Sequence, residues 1–505
     1  MKRLLSMVVA ITMAGTLLAG CGSKGDTDKA SQDSQKQVSK KPQKVRVLVP
    51  FHPDSAKFPA GKDLNTNDIV TIFKEKSGID VEFDMLPKDG SKEKFSVLAA
   101  FGDFADLAYV PGGKSDVAKF AAQDVFQPVD DLLKKMPDYN KLVAADLHET
   151  VKLNGKAYAF LAPAAYQFDR SVVIRKDLFD NHGIKIPKTL EEYYNAFKEI
   201  KTKAGMIPYG MDTSDAVQFF AEIAPFAGAY GVEYNTTIKN GKLVMSHAQP
   251  EYKEVLAYLK KLYDEGLLDK EFAVNKKYAT RDKMVGGQTA MGNLLWNWAK
   301  DAADAIKKKG ANYTLKFIEP PVGKDGKQGV RIASPVQFFY VVPKNAKATE
   351  ASAQFMNFMY TEHYQNAITY GKEGVSYTKE NGKVKHDNDK FLAEFPWIAV
   401  YNTVNVPDSF AYRLELKGFT PFVNDMKSVW KYQKDLTEYA PPIEAYDSVK
   451  TQLDNFVHEH SVKFIMGARS LNEFDKFVEE FNAKGGKAAA EALDQWYQKS
   501  GKNIK

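Results

Sequence analysis

The sequence predicts an α/β protein built as two lobes. Three observations carry that expectation: the length, the apolar content, and an alternation of strand-like and helix-like segments where the folded part begins. With 505 residues and 44% hydrophobic content, the chain can bury a large core, and a core of that size divides into two. From Lys44, Val45, Val47 and Val49 alternate as a strand. A polar loop from Pro50 to Asn67 then holds Phe51, Asp54 and Phe58, and a helical stretch runs to Gly78. Ile79, Val81, Phe83 and Met85 repeat the period of two, a helix follows around Phe95 to Phe101, and Ala105 to Val110 reads as a short strand. Strands separated by helices argue for a lobe with a largely parallel sheet, because parallel neighbours need a crossover.

Later helices carry clearer punctuation. Thr189 with Glu192 fits a capping box ahead of Leu190, Tyr193, Tyr194 and Phe197, and Ser470 with Glu473 fits another ahead of Phe474, Phe477, Val478 and Phe481. The second of these helices is expected to stop at Gly485-Gly486. Tyr252, Val255, Leu256, Leu259, Leu262 and Tyr263 follow helical spacing and mark one more amphipathic helix whose apolar stripe faces the core. No internal repeat is evident.

The N-terminus reads as an export signal. Lys2 and Arg3 precede an apolar run from Leu4 to Leu18 that is short for a membrane span. The run ends in Leu18-Ala19-Gly20-Cys21, which looks like a bacterial lipobox: small residues fit a narrow peptidase site and the sulfur takes a diacylglyceryl group. Cys21 is the single cysteine of the chain, so no internal disulfide can form, and its position points to lipid attachment. Residues 22–43, GSKGDTDKASQDSQKQVSKKPQ, are nearly free of apolar side chains and are expected to form a tether spanning roughly 25 Å. Two of the 70 Lys and Arg residues lie in the leader, leaving the mature chain 4 positive charges above its 64 Asp and Glu. Without a long basic block this argues against nucleic-acid binding. The 32 Phe, 25 Tyr and 5 Trp exceed what a core alone is expected to need, and flat rings are what a sugar face stacks on.

Several segments together resemble the family 1 extracellular solute-binding proteins, the carbohydrate-binding lipoproteins of ABC importers, and in particular their long, LipO-like Gram-positive branch. Phe101-Gly102-Asp103-Phe104-Ala105-Asp106-Leu107 is similar to the family's GD-x-x-D segment. Asn154-Gly155-Lys156-Ala157-Tyr158 followed by Val172 to Phe179, VVIRKDLF, resembles its NGK-x-Y … IRKDL passage between lobes. PKTLEEYYNAFKEIK, from Pro187 to Lys201, matches its P-x-T-x-x-E helix. Gly287-Gln288-Thr289-Ala290-Met291 with Trp296 resembles GK-x-AM … W, although Gln288 replaces the usual lysine. Glu373 to Tyr377 and Phe464 to Gly467 also have counterparts in the long branch. The match is specific through the order of these pieces over residues 44–505.

The resemblance implies a two-lobed periplasmic-binding-protein-like fold of type II, maltose-binding-like, with a ligand cleft between lobes that closes on ligand. The expected organisation is a signal peptide at 1–20 and a lipidated tether at 21–43. One lobe is made of 44–170 plus 335–400, and the other of 171–334 plus 401–505. Crossings are expected near Arg170 to Ile174, Ser334 to Phe338 and Pro396 to Val406. The implied function is capture of a carbohydrate, with an oligosaccharide favoured, and its delivery to the membrane permease subunits of an ABC importer. A monomer on the outer face of the cell membrane, held by its lipid, is expected; no cofactor and no metal is implied.

A sugar ring offers an apolar C–H face and a rim of hydroxyls, so its partners are flat aromatics with Asp, Glu, Asn, Gln or Arg around the edge. Trp296 and Trp298 in LLWNW are candidate platforms; strand-like alternation would send both rings one way, a helix would separate them, and packing in the core is the competing reading for each. Tyr166, Phe168, Asp169 and Arg170 precede the first crossing strand and are candidates for the cleft floor. Asp212 and Ser214 occupy a polar turn before an aromatic-rich helix. Phe51 and Asp54 in the first loop, and Trp397, Arg413, Glu415 and Trp430 late in the chain, are further candidates, with packing or surface ion pairs as the alternative.

Catalytic motifs do not survive inspection. Gly113-Lys114-Ser115 follows a strand, but the glycine a phosphate loop requires five positions earlier is Ala108. In His458-Glu459-His460 the two histidines diverge by roughly 200° on a helix and cannot share a metal. Asp387-Asn388-Asp389 lacks the glycine and terminal glutamate of a calcium loop. The rival reading is an anchored glycoside hydrolase or polysaccharide lyase, which needs two carboxylates about 5–10 Å apart. A third reading, a passive adhesin, predicts repeats or a long stalk.

Overall fold

The computed structural model describes residues 43–168, 170–331, 334–433 and 435–504. The leader, Cys21 and the tether therefore lie outside the described residues, as does Asp169.

The strand–helix alternation expected at the start forms a sheet. Helix Asp68–Ser77 begins where Asn67 Oδ1 accepts from the backbone N–H of Ile69 and Val70, both at 3.0 Å, and ends at Gly78 with φ 69°. Its apolar face, Ile69, Val70 and Phe73, is buried in the core that also holds the parallel pair Lys44–Val49 and Asp80–Met85, with Val45 opposite Val81 and Val47 opposite Phe83. The sheet order is Asp80–Met85, Lys44–Val49, Leu107–Tyr109, Val336–Val341, Phe160–Pro163. Val336–Val341 arrives from far along the chain and runs antiparallel to both neighbours. Its insertion joins two distant stretches, 45–162 and 336–404, in one core. Rings fill much of that core: Phe73 stacks on Tyr364 at 4.5 Å, and Tyr401 meets Phe73 and Phe83 edge-on at 5.5 Å and 5.2 Å.

The second sheet has the order Leu315–Ile318, Arg170–Arg175, Thr289–Leu295, Ile207–Tyr209. It is mixed: Arg170–Arg175 runs against both neighbours, and Thr289–Leu295 runs parallel to Ile207–Tyr209. Every residue of Arg170–Arg175 is buried, in keeping with the apolar VVI at its centre, the Ser171 hydroxyl that donates to Ile318 O at 3.1 Å and elements packed on both faces. Helix Ala216–Ala229, AVQFFAEIAPFAGA, has no polar face and is buried except at Val217. The stripe from Tyr252 to Leu262 is buried on helix Pro250–Asp264.

Both capping boxes form. The one at Ser470 and Glu473, however, caps a short 3₁₀ turn, Leu471–Glu473, that runs into helix Phe474–Phe481. Gly485-Gly486 does not stop the structure. Gly485 at φ 105° makes a kink, and Lys487–Lys499 resumes the helix. A Cβ on Gly486 would lie 2.3 Å from the Phe481 ring, so the kink requires glycine there too.

The two cores also touch through Lys114, from the triplet that imitates a phosphate loop. Lys114 lies on helix Gly113–Ala122 of the first core, and its Nζ donates to the carbonyls of Thr437 and, at 3.1 Å, Ala440. Those carbonyls end the 3₁₀ turn Leu436–Tyr439, whose Leu436 packs in the second core. Burial pulls the ammonium down while Glu438, Asp447 and Asp435 hold it up. Lys114→Met is expected to leave both carbonyls without this donor and to speed amide exchange through residues 436–440 by about tenfold, from the loss of ~1–2 kcal/mol of local stability. Exchange measured by mass spectrometry checks this, with helix Pro250–Asp264 as the unaffected control.

Candidate functional site

The chain leaves the first sheet at Pro163 and enters the second at Arg170, and it returns between Ile318 and Val336. The two passages are tied where Ala164 N donates to Pro335 O at 2.9 Å. A connection of so few residues leaves its side chains no core of their own, so Tyr166 and Phe168 pack on each other, stacked at 4.7 Å and 15°. Phe410, on helix Pro407–Leu416, meets Tyr166 edge-on at 5.4 Å, and Trp430 meets Phe168 edge-on at 5.8 Å.

Two recesses flank this aromatic pair. One, of about 360 Å³, is lined by Tyr166, Phe168, Trp296, Ser334, Gln337 and Phe410. The other, of about 550 Å³, shares Tyr166 and Phe168 and adds Asp146, Lys427, Trp430 and Tyr439. Aromatic faces with a few polar groups at the rim suit a molecule that is apolar on its faces and polar at its edge. A small pocket of about 20 Å³ lined by Phe220, Glu233 and His247 beside the second core has room for a water and no more.

The structure separates the two tryptophans of LLWNW. Helix Trp296–Lys308 begins at the first of them, so the rings point roughly 200° apart. Trp296 is half-buried, faces the recess and meets Phe419 edge-on at 5.3 Å. Trp298 is 7% exposed and packs edge-on against Tyr278 at 4.7 Å, with the Arg170 guanidinium 5.9 Å from its ring centre.

At the start of the second sheet Arg170 shares a buried polar cluster with Asp212 and Glu222. Asp212 is fully buried, and burial pushes its carboxyl up to about 6 against the pull of Arg170. Glu222 is pushed well above the carboxylate range by burial and by Asp212, with Arg170 and the Gln218 amide opposing; Gln218 Nε2 donates to Glu222 Oε1 at 2.7 Å. Asp212 and Arg170 are thus buried together and line neither recess, while Ser214 is exposed beside helix Ala216–Ala229.

The remaining candidates scatter. Phe51 is exposed, and Asp54 pairs with Lys57 at 2.7 Å. Trp397 is buried in the first core with Phe58 stacked on it at 4.8 Å. Glu415 is exposed; Arg413 is buried against Asn405 and Thr369. Sequence reasoning passed over Phe410, Lys427, Tyr439 and Gln337. Only Gln337 carried a signal, being the polar residue between Val336 and Phe338 at an expected crossing. Among the described residues no group of three or more His, Cys, Asp or Glu is placed to hold a metal ion, and no helix is long and apolar enough to cross a membrane.

Residues 68–379 match the family model described as bacterial extracellular solute-binding protein. The chain is 24% identical to Lipoprotein LipO of Bacillus subtilis, over 97% of this chain and 98% of that one. It is 23% identical to the polygalacturonan/rhamnogalacturonan-binding protein YtcQ of the same organism, over 98% of both. Among solved structures, an HMO-binding, ABC-transporter-associated solute-binding protein from Bifidobacterium longum infantis superposes with a TM-score of 0.71 at 18% identity, covering 90% of this chain and 99% of that chain. This likeness shows the two-lobed solute-binding fold.

Proposed function

Because the chain belongs to the bacterial extracellular solute-binding protein family, we propose that it captures an oligosaccharide on the outer face of the cell membrane and hands it, unaltered, to the permease of an ABC importer. The observation that carries this reading is the aromatic-walled recess of Tyr166, Phe168, Trp296 and Phe410 set on the passage between the two sheets. A ligand there touches both lobes, so its binding energy favours the closed arrangement that a transporter can distinguish from the empty one. The end-to-end match to YtcQ, whose name specifies polygalacturonan and rhamnogalacturonan, supports a carbohydrate. The two cores support lobes at 44–170 with 335–400 and at 171–334 with 401–505. The last passage is drawn on into helix Pro407–Leu416, since Tyr401 and Val404 still pack in the first core. The lipobox at Cys21 supports a lipid anchor with residues 22–43 as the tether, and the anchored protein acts as a monomer.

Cys21→Ser is expected to lose the lipid mass that the parent carries on that residue, read by mass spectrometry of the intact protein; a parent without lipid mass would refute the anchor. The same lipid-free variant serves a thermal-shift screen against galacturonate oligomers, rhamnogalacturonan fragments and neutral oligosaccharides. A ligand at 100 times its Kd is expected to add about 2.7 kcal/mol of stability. Recovery of shortened or unsaturated fragments from the incubation would instead make the protein a hydrolase or lyase.

A further inference from the structure

Gln337 stands on the strand Val336–Val341 and is exposed in the recess walled by Tyr166, Trp296 and Phe410. Its amide is held from behind. Gln337 Oε1 accepts from Asn405 Nδ2 at 2.9 Å, and Asn405 Oδ1 accepts from Arg413 Nη2 at 2.7 Å. Arg413 is 5% exposed and anchored in turn, its Nη1 donating to Thr369 Oγ1 at 3.1 Å. Burial draws its guanidinium down to about 10, so it keeps its charge at neutral pH.

A guanidinium donates from every nitrogen and accepts nowhere. The amide that faces Arg413 must present oxygen, which leaves Asn405 its NH₂ for Gln337, and Gln337 must answer with oxygen. Turning either amide sets two donors, or two acceptors, against each other at hydrogen-bond distance. We propose that Arg413 and Asn405 are positioning residues that lock Gln337 as a donor into the recess, so that this point of the site recognises an acceptor oxygen of the ligand. In an oligosaccharide, the class on which this inference rests, the oxygens that only accept are the ring and glycosidic oxygens and any carboxylate. A hydroxyl also accepts, so the locked amide meets a ring, glycosidic or carboxylate oxygen as readily as a hydroxyl oxygen without turning, and it rejects a group that can only donate.

Asn405→Asp keeps the acceptor for Arg413 but cannot donate, so Gln337 turns its NH₂ toward the introduced carboxylate and shows Oε1 to the recess. In the ligand-free Cys21→Ser protein, the Gln337 side-chain amide signals, assigned by their loss in Gln337→Glu, are expected to shift and exchange more slowly once Asn405→Asp is added. With trigalacturonate and kestose as calorimetric probes, whichever binds the parent is expected to weaken about tenfold in Asn405→Asp and in Gln337→Glu, the effect of one misdirected hydrogen bond to the ligand. Arg413→Lys, still a pure donor, keeps the Gln337 signals and the affinity; Arg413→Met loses both. Unmoved Gln337 signals, or equal affinity in Asn405→Asp, overturn the proposal. If neither probe binds the parent, the ligand class is at fault, and the amide signals still decide whether the lock exists.

Discussion

Trp298→Ala is expected to cost the ligand-free protein about 3–5 kcal/mol, the penalty for truncating a large buried ring that its surroundings cannot close over. The ring is 7% exposed and shares a cluster with Val173, Leu294, Phe317 and Met426, where the second sheet meets the late helices. Removing it opens a cavity and also strips Arg170 of the aromatic face beside its guanidinium. Two residues earlier the same substitution is expected to do the opposite. Trp296 touches Phe419 edge-on, packs at the margin of the same cluster and faces the recess, so Trp296→Ala should leave ligand-free denaturation within about 1.5 kcal/mol of the parent while abolishing the stabilisation that the screened oligosaccharide confers. Urea denaturation with and without ligand separates the two variants. A large ligand-free loss in Trp296→Ala would assign that ring to the core and remove it from the site.

The contrast shows where the sequence was legible. LLWNW offered two tryptophans and two geometries, and the residue that decides between them is the first helical position. No capping side chain marks it, since Leu295 provides no side-chain hydrogen bond as N-cap. Boundaries with a chemical mark were readable: Asn67 and Gly78 around helix Asp68–Ser77, and Thr189 with Glu192 at the start of helix Leu190–Glu199, sit where local hydrogen bonding alone would put them. Gly485-Gly486 was misread because a glycine pair serves a kink as well as a stop, and the choice rests on Phe481 packing against Gly486, a contact that sequence does not display.

The candidate site was readable in part for the same reason. Tyr166 and Phe168 come together because a short passage between sheets forces its rings onto one another, and the passage itself was recognisable; Trp430 reaches Phe168 from the late part of the chain. The aromatic surplus pointed less directly to a sugar than composition suggests, since Phe73, Phe83, Tyr364 and Tyr401 spend their faces on one another in the first core. Arg413 and Gln337 are 76 residues apart in number and joined only through Asn405. No local pattern encodes such a relay, because each member is an ordinary polar residue until the fold aligns its donors and acceptors.

The buried cluster of Arg170, Asp212 and Glu222 leads to a second large effect, this time with pH. Glu222 is fully buried, and burial together with Asp212 raises its folded carboxyl well above the ordinary range, so the folded state keeps a proton there that the unfolded chain has released. Where the folded state binds the extra proton, stability falls as pH rises, by ~1.4 kcal/mol per unit for one group, starting near the unfolded carboxylate value and ending at the folded one. Glu222→Gln replaces the protonated acid by a neutral group of the same shape and can keep an acceptor oxygen for the Gln218 amide. The variant should match the parent below about pH 4.5, the ordinary glutamate value, and gain on it steadily toward neutral pH, so that the stability difference measured by denaturant at pH 4, 5.5 and 7 rises in sequence. Asp212, pushed up to about 6, slopes the same way but levels off above that pH in both proteins and cancels from the difference. A difference that stays flat across the three pH values would mean Glu222 is ionised in the fold. The buried cluster would then carry two carboxylate charges against the one guanidinium of Arg170.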